Sequence, residues 1–339
     1  MRLNAASARG AESLAMKRSV KINFKGFWGL SAEESPFYKL LSKRFDLEIA
    51  DKPDFLIYTD GYLEKRKYQD CVRIFYTGEN TRPDFYDCDY AFTFDMAMTR
   101  RHYRLPLYRF AGDYDRLKQP KDPERILAQK SGFCCFLSSH PTPERKDFFN
   151  RMLAYKMVDS GGRFLNTLGR LVPADSAQAD FRRRYKFAIA FENSSWPGYT
   201  TEKIFQAMLD DVVPIYWGNP RVAHDFNPKS FINCHEYDDF SQVVDKVIEM
   251  DNDDDLYKSC LAQPWLNDGR GLDYLSDDSL LARFEEIFSN PEPIRYRKAP
   301  ALTPLPLSVR FNKAVHDKLR PNPVFAPMLV RLIRWRNRW

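Results

Sequence analysis

The segment FENSSWPGYTTEK combines side chains that proton transfer and anion binding require. Glu192 and Asn193 follow an apolar run, and Tyr199, Glu202 and Lys203 come soon after. A lysine in the first turn of a helix is unfavourable beside the helix dipole, unless it faces an anion bound at that helix end. The segment therefore indicates either a phosphate site or an ordinary capped helix with a solvent-facing lysine.

Two predicted elements position this segment. The run KFAIAF before it is typical of a buried strand, and EKIFQAML after it has the spacing of an amphipathic helix, which Thr200 or Thr201 is expected to cap. In open α/β sheets, ligands bind at the carboxyl ends of the strands. Glu192 and Asn193 are predicted to lie at such an end.

Short apolar strands and amphipathic helices alternate from Val20 onwards, which predicts an α/β protein with parallel sheets. Ser35 is expected to cap the first helix, and PERKDFFNRMLAYKMVDSG is predicted to form one long helix. We predict the following organisation: a basic tail (1–19), an α/β domain (20–118), a polar linker (119–131), a second α/β domain (132–294) and a basic, proline-rich tail (295–339). This organisation places a ligand cleft between the two domains.

Charge is distributed unevenly along the chain. The net charge is +6, but residues 27–294 contain 35 basic against 44 acidic side chains, and the excess of basic residues lies in the two tails. An acidic body disfavours a nucleic-acid groove, and no nucleic-acid partner is predicted. The six cysteines form no Cys-x-x-Cys pair, so buried reduced thiols are expected. The sequence shows no secretion signal and no long apolar run, so we expect a cytoplasmic protein.

A family resemblance rests on the same segment. The pattern FEN-S-x-x-x-x-Y-x-T-E-K, followed by PIYWG, resembles the donor-binding signature of the bacterial α-1,3/4-fucosyltransferases of glycosyltransferase family 10. The stretches FYTGENTRPDF and FDMAMTRRHYRLPLY are similar to that family as well. The resemblance covers roughly residues 20–290 and excludes both basic tails.

The resemblance implies a GT-B fold, with two facing Rossmann-like domains and the active site in the cleft between them. It implies inverting transfer of L-fucose from GDP-fucose, with Glu79 of the YTGEN stretch as the catalytic base. Glu79 follows the predicted strand VRIFYTG, so the sequence also places it at the cleft.

The departing diphosphate requires fixed positive charge, for which Arg145 and Lys203 are the candidates. Glu202 is expected to accept hydrogen bonds from donor hydroxyls. The predicted donor-binding residues are Arg145, Asn193, Tyr199, Glu202 and Lys203. Trp28, in the loop after the first strand, either lines the acceptor site or only packs in the core.

The family adds fucose to the 3-hydroxyl, and sometimes the 4-hydroxyl, of GlcNAc in acceptors such as Galβ1-4GlcNAc, as in Lewis-type surface glycans and lipopolysaccharide. No cofactor is expected to be required, and a divalent metal is expected to be at most stimulatory. Asp87-Cys88-Asp89 precedes an apolar strand instead of closing one, which argues against a metal site there.

Three alternatives remain at the level of the sequence. A GT-B transferase could use another nucleotide sugar. A nicotinamide oxidoreductase would need a Gly-x-Gly-x-x-Gly after the first strand, which INFKGFWGLS does not supply. A non-enzymatic adaptor that binds a membrane or nucleic acid through the basic tails would leave the acid and lysine side chains of FENSSWPGYTTEK unexplained.

The end of the sequence, PMLVRLIRWRNRW, predicts an amphipathic helix over residues 328–339. Met328, Leu332 and Trp335 fall on one stripe, with arginines opposite. Such a helix either docks on the protein or binds an anionic membrane surface. We expect the second, which places the protein at the cytoplasmic face of the inner membrane.

Overall fold

The structure is a computed structural model, and it describes residues 17–27, 29–60, 67–85, 87–174, 176–267 and 272–294. Trp28, most of the N-terminal tail and the predicted C-terminal helix lie outside the described residues. Among the described helices, none is long and apolar enough to cross a membrane.

The first sheet has six parallel strands in the order β2-β1-β3-β4-β5-β6. Their bounds are β1 Arg18–Lys25, β2 Phe45–Ile49, β3 Phe55–Tyr58, β4 Val72–Tyr76, β5 Tyr90–Thr93 and β6 His102–Arg104. Every residue of β3 and β4 is buried. Strands that are covered on both faces are mostly apolar, and these runs are apolar except for Arg73 of β4, so they are recognisable in the sequence.

The second sheet has five parallel strands in the order β11-β10-β9-β7-β8. Their bounds are β7 Gly132–Phe136, β8 Val158–Ser160, β9 Tyr185–Phe191, β10 Val213–Trp217 and β11 Ile232–Asn233. The predicted α/β class with parallel sheets is confirmed.

The described part of the chain has eight α-helices, five that lie between strands and three that follow β11. Their bounds are α1 Pro36–Leu41, α2 Pro123–Ala128, α3 Pro143–Tyr155, α4 Ser176–Arg182, α5 Glu202–Leu209, α6 Phe240–Asn252, α7 Asp254–Ala262 and α8 Asp277–Phe288. Ser35 caps α1 as predicted, because its side chain accepts the N–H of Phe37. The long helix predicted from Pro143 ends at Tyr155, and its last predicted residues form β8 instead.

Helix α8 packs against the first sheet, although it follows the second sheet in the chain. Phe284 stacks on Phe92 with ring centroids 4.7 Å apart, and Phe288 meets Phe45 at 5.1 Å. The sequence predicts a second domain that extends to residue 294 and therefore includes α8. In the structure, α8 packs on the first sheet instead. An amphipathic pattern shows that a helix has an apolar face but not which sheet receives it.

Both sheets reverse their strand order once, and each reversal creates a crevice at the carboxyl ends of the strands. In the first sheet the reversal lies between β1 and β3, and in the second between β7 and β9. These two crevices are the places where the fold can hold ligands.

Candidate active site

The crevice of the second sheet contains a fully buried carboxylate. Glu192 follows β9 directly and has no exposed surface. Its two oxygens accept the Thr201 N–H at 2.7 Å and the Thr201 hydroxyl at 2.6 Å. Thr201 is the N-cap residue of α5, one of the two residues expected to cap it. Its hydroxyl donates to Glu192 and does not accept a helix N–H.

Lys203 lies in the first turn of α5 and is already paired with acidic groups. Its Nζ is 3.2 Å from Glu192 Oε2 and 3.0 Å from Glu202 Oε1, and it donates to the Thr201 hydroxyl at 2.8 Å. Only 22% of its side chain is exposed. The solvent-facing alternative for this lysine is therefore wrong.

The pKa values of this cluster follow from burial and from the charges around it. Burial raises the pKa of Glu192, although Lys203 acts in the opposite direction. Burial also acts to raise the pKa of Glu202, but the charge and hydrogen bond of Lys203 outweigh it and the pKa is lowered. The pKa of Lys203 is raised because Glu192 and Glu202 outweigh burial. The cluster therefore keeps Lys203 positively charged at neutral pH.

Arg145 lies beneath the same crevice, in the first turn of α3, and is almost completely buried. Its guanidinium donates to the carbonyl oxygens of Phe191 at 2.5 and 3.2 Å and of His140 at 2.8 Å. The Phe191 carbonyl is at the end of β9, and the His140 carbonyl is in the loop after β7. Arg145 therefore links the two sides of the crevice. The guanidinium has further N–H donors that these three bonds do not use.

Two other predicted donor residues line the same loop. Tyr199 is buried, and its ring meets the edge of Phe94 at 5.1 Å, across the boundary with the first sheet. Asn193 is partly exposed at the end of β9. The pKa of Tyr199 is raised mainly by burial and then by the charges of Glu192 and Glu79. Tyr199 therefore lies within electrostatic reach of both sides of the cleft.

Glu79 follows β4, at the carboxyl edge predicted for it. Its N–H donates to the Thr77 hydroxyl at 2.9 Å, and that hydroxyl in turn bonds the carboxylate of Asp60. The side chain of Glu79 is exposed, and no other described residue donates a hydrogen bond to its carboxylate. An unpaired, accessible carboxylate can receive a proton from a bound hydroxyl group.

A cavity of about 620 Å³ occupies the crevice of the first sheet. The described residues that flank Trp28 on both sides, Phe27 and Gly29, line it together with Asp51 and Asp60. Asp60 links this cavity to the Glu79 loop through Thr77. The cavity is therefore next to the predicted catalytic base.

Sequence reasoning gave no role to several residues at this site. Glu192 was noted as a strand-end acid, but the sequence did not show that it would be buried beside Lys203. Arg82 and Trp196 were also missed, although the guanidinium carbon of Arg82 lies 4.5 Å from a ring centroid of Trp196. The proline-flanked RPD and WPG stretches gave no signal that these side chains would meet.

The Asp87-Cys88-Asp89 stretch has a structural role. Asp89 is buried, and its carboxylate accepts the N–H of Arg73 at 2.7 Å. Within the described ranges, no three His, Cys, Asp or Glu side chains come together as a metal-ion site would require. All six cysteines are buried and none forms a disulfide bond, which confirms the prediction of buried thiols.

Comparisons with known proteins agree with this architecture. Residues 22–111 match the profile of the α-(1,3)-fucosyltransferase FucT N-terminal domain, and residues 127–267 match that of glycosyltransferase family 10 (fucosyltransferase), C-terminal. The α-(1,3)-fucosyltransferase FucT of Helicobacter pylori is 32% identical over 80% of this chain. The chain spans 66% of that relative's length, just under two thirds.

Solved structures give the same result. A crystal structure of an α1,3-fucosyltransferase with GDP-fucose is 30% identical, with a TM-score of 0.70, over 84% of this chain and 94% of that one. A crystal structure of an α1,3-fucosyltransferase with GDP has a TM-score of 0.72 and 30% identity, over 87% of this chain and 96% of that one. The chain therefore belongs to glycosyltransferase family 10, the fucosyltransferases, and has a GT-B fold.

Proposed function

We propose that this protein is an inverting α-1,3-fucosyltransferase that moves L-fucose from GDP-fucose to a sugar hydroxyl. One observation carries the proposal: the loop with the accessible carboxylate of Glu79 is hydrogen-bonded, through Asn80 and Ser194, to the loop after β9, whose crevice holds Lys203 and Arg145. A base and a cationic site near each other are what a displacement with an anionic leaving group requires. A similar solved structure contains GDP-fucose, which supports GDP-fucose as the donor.

The donor would lie in the crevice between β7 and β9. Lys203 would bind the diphosphate at the N-terminus of α5, and the unused donors of Arg145 would bind it from below. Glu202, whose side chain is 33% exposed, would release Lys203 and accept donor hydroxyls. Asn193 and Tyr199 would hold the rest of the donor against the loop after β9.

In the chemical step, an acceptor hydroxyl would attack the anomeric carbon from the face opposite GDP. Glu79 would take the hydroxyl proton as the new glycosidic bond forms. The bond between the anomeric carbon and the phosphate oxygen would break, and Lys203 would stabilise the charge that develops on the diphosphate. Attack from the opposite face inverts the anomeric centre.

The acceptor would occupy the cavity between β1 and β3. Its lining includes polar groups such as Asn23, Asp51 and Asp60, which suit a sugar, and Asp60 is linked to the Glu79 loop. We propose the 3-hydroxyl of GlcNAc in Galβ1-4GlcNAc as the acceptor group, with the 4-hydroxyl of the Galβ1-3 isomer as the second choice.

Two measurements test this function. Calorimetric titration with GDP-fucose, GDP-mannose and UDP-galactose should show tightest binding of GDP-fucose. Incubation of GDP-fucose with Galβ1-4GlcNAc and Galβ1-3GlcNAc should then give a fucosylated trisaccharide by mass spectrometry. Tight binding and transfer of another nucleotide sugar would favour the alternative GT-B transferase.

We propose that transfer needs no metal ion, since Lys203 and Arg145 supply the positive charge for the leaving group. Transfer should persist in EDTA. Complete loss that Mg²⁺ or Mn²⁺ restores would contradict this and would revive Asp87 and Asp89 as candidate ligands.

We propose that the protein is cytoplasmic and peripheral to the inner membrane, where a lipid-linked or lipopolysaccharide acceptor would be within reach. The support is the basic segment 295–339, with eleven Lys/Arg against one Asp. Removing residues 328–339 should release the protein from anionic liposomes in a flotation assay. A truncated protein that still floats with the liposomes would show that this segment is not the anchor.

A further inference from the structure

Three loops from the two sheets meet beside Glu79. Asn80 of the Glu79 loop donates from Nδ2 to the Ser194 hydroxyl at 2.8 Å. Ser194 lies in the loop after β9, which also carries Tyr199. The catalytic loop and the donor loop are therefore joined by a direct hydrogen bond one residue away from Glu79.

Arg82 lies at the centre of this meeting point. Its guanidinium carbon is 4.5 Å from the ring centroids of both Phe94 and Trp196. Phe94 follows β5 in the first sheet, whereas Trp196 belongs to the donor loop. Stacking on aromatic rings from two different loops fixes the plane of the guanidinium and holds the loops together.

Two polar contacts also fix the same guanidinium, one to the Glu79 loop and one to the loop after β5. Arg82 Nη1 donates to Asn80 Oδ1 at 3.2 Å, and Nε is 3.1 Å from Asp95 Oδ1. Only 17% of the Arg82 side chain is exposed. Burial lowers the pKa of Arg82 to about 10, with Asp95 acting against it, so the group stays charged at neutral pH.

The exposed carboxylate of Glu79 receives no hydrogen bond from another described residue, so its position depends on the backbone of its loop. That backbone is held at Glu79 by the Thr77 hydroxyl, and the side chains of Asn80 and Arg82 hold the residues that follow. A displacement of about 1 Å between reacting groups can reduce turnover roughly 100-fold. The contacts of Arg82 can therefore decide whether the base meets the hydroxyl it must deprotonate.

We propose that Arg82 is a positioning residue, which locks the donor loop at Trp196 to the Glu79 loop and so places the catalytic carboxylate opposite the bound donor. This inference rests on the proposed fucosyl transfer. Arg82 acts through Glu79 and not on the substrate itself.

A double-mutant cycle tests the coupling. Arg82→Met should lower kcat for fucosyl transfer about 10- to 100-fold, while the Kd for GDP changes little. In a Glu79→Gln background, Arg82→Met should have almost no further effect, because the group it positions is already gone. Arg82→Lys keeps the charge beside Asp95 but not the planar stacking, and should restore only part of the activity.

Arg101→Met is the matched control. Arg101 also lies on an aromatic ring, 4.7 Å from the Phe85 centroid, and donates to the main-chain carbonyls of Asp89 and Cys88, but at the amino end of the same sheet. The Arg101→Met variant should have an unchanged kcat, even if its melting temperature falls. Should Arg82→Met fail to fold, Trp196→Leu removes the other partner of the stack and goes through the same cycle.

The possible outcomes distinguish a failure of the proposed Arg82 role from a failure of the proposed fucosyltransferase function. A wild-type protein that transfers no fucose would contradict the proposed function. Active wild type with fully additive effects of Arg82→Met and Glu79→Gln would overturn the positioning role alone. A loss of GDP affinity as large as the loss of kcat would also overturn it, since Arg82 would then support donor binding instead.

Discussion

Lys203 and Arg145 carry the same charge at the same crevice, but the protein uses them differently. Lys203 is held by two carboxylate side chains, which a bound diphosphate could replace. Arg145 donates to main-chain carbonyls at the end of β9 and in the loop after β7. It therefore stabilises the crevice and also contributes positive charge to it. The sequence predicted that both would lie at helix starts, but it could not show which partners they would have without a ligand.

We expect Lys203→Gln to weaken GDP binding by roughly 1.5–3 kcal/mol, the size of a charge-assisted hydrogen bond to phosphate. Titration calorimetry with GDP and with guanosine measures this, and the loss should be much smaller for guanosine. Lys146→Gln, an exposed lysine in the first turn of α3, is the control. Wild-type GDP affinity in the Lys203 variant would place the phosphate site elsewhere.

The raised pKa of Glu192 predicts a pH dependence of stability. The folded protein holds the Glu192 proton more tightly than the unfolded chain, so this contribution is full below pH 4.5 and is lost as pH rises above it. The lowered pKa of Glu202 and the raised pKa of Lys203 act outside this window, below 4.5 and above 10.5 respectively.

Glu192→Gln should therefore flatten the decline in melting temperature as the pH rises above 4.5. Thermal unfolding of both proteins across this range is the measurement, with the exposed Glu249→Gln as the control. Parallel curves for the wild type and Glu192→Gln would mean that Glu192 stays ionised throughout.

At the scale of elements, the buried strands were predictable and the short ones were not. Strands β3 and β4 are fully buried and β9 is buried except at Lys186, and their mostly apolar runs are typical of a covered strand. The strands β6 and β8 have only three residues each, too few for any pattern. Helix α2 lies inside the predicted linker, where Asp122 caps it among charged residues.

The donor loop approaches the first sheet so closely that one position has no room for a side chain. Gly198 has φ +89°, and a Cβ there would be 2.5 Å from the Phe94 carbonyl oxygen. Gly198→Ala should lower the unfolding free energy by about 1–2 kcal/mol for the left-handed backbone and by about 1–3 kcal/mol more for the clash. It should also weaken GDP binding, because Tyr199 follows directly.

Gly169→Ala separates these two causes. Gly169 has φ +66°, but a Cβ there would meet nothing within 4 Å. Urea unfolding should give the larger loss for Gly198→Ala, and calorimetry should show weaker GDP binding in that variant only. Equal losses in the two variants would show that the close approach to Phe94 is unimportant.

At the scale of the whole molecule, the two sheets share buried contacts as well as a cleft. Arg104 of β6 forms a buried ion pair with Asp225, at 2.6 Å, and Tyr108 stacks on Phe205 of α5. Together with α8, these contacts fix the two sheets relative to each other. Chain order alone could not predict them, because each pairs residues that are distant in the sequence.

In the proposed mechanism, the base lies on one sheet and the leaving-group site on the other. Glu79→Gln should therefore leave GDP binding nearly unchanged and lower kcat for fucosyl transfer by about two to four orders of magnitude. Glu48→Gln, an exposed glutamate on β2, should leave both unchanged.

The most direct measurement is the steady-state rate of transfer from GDP-fucose to Galβ1-4GlcNAc for the wild type and Glu79→Gln, with the GDP Kd of each protein. We expect a large fall in kcat at equal GDP affinity. A folded Glu79→Gln protein that transfers fucose at nearly the wild-type rate would contradict it.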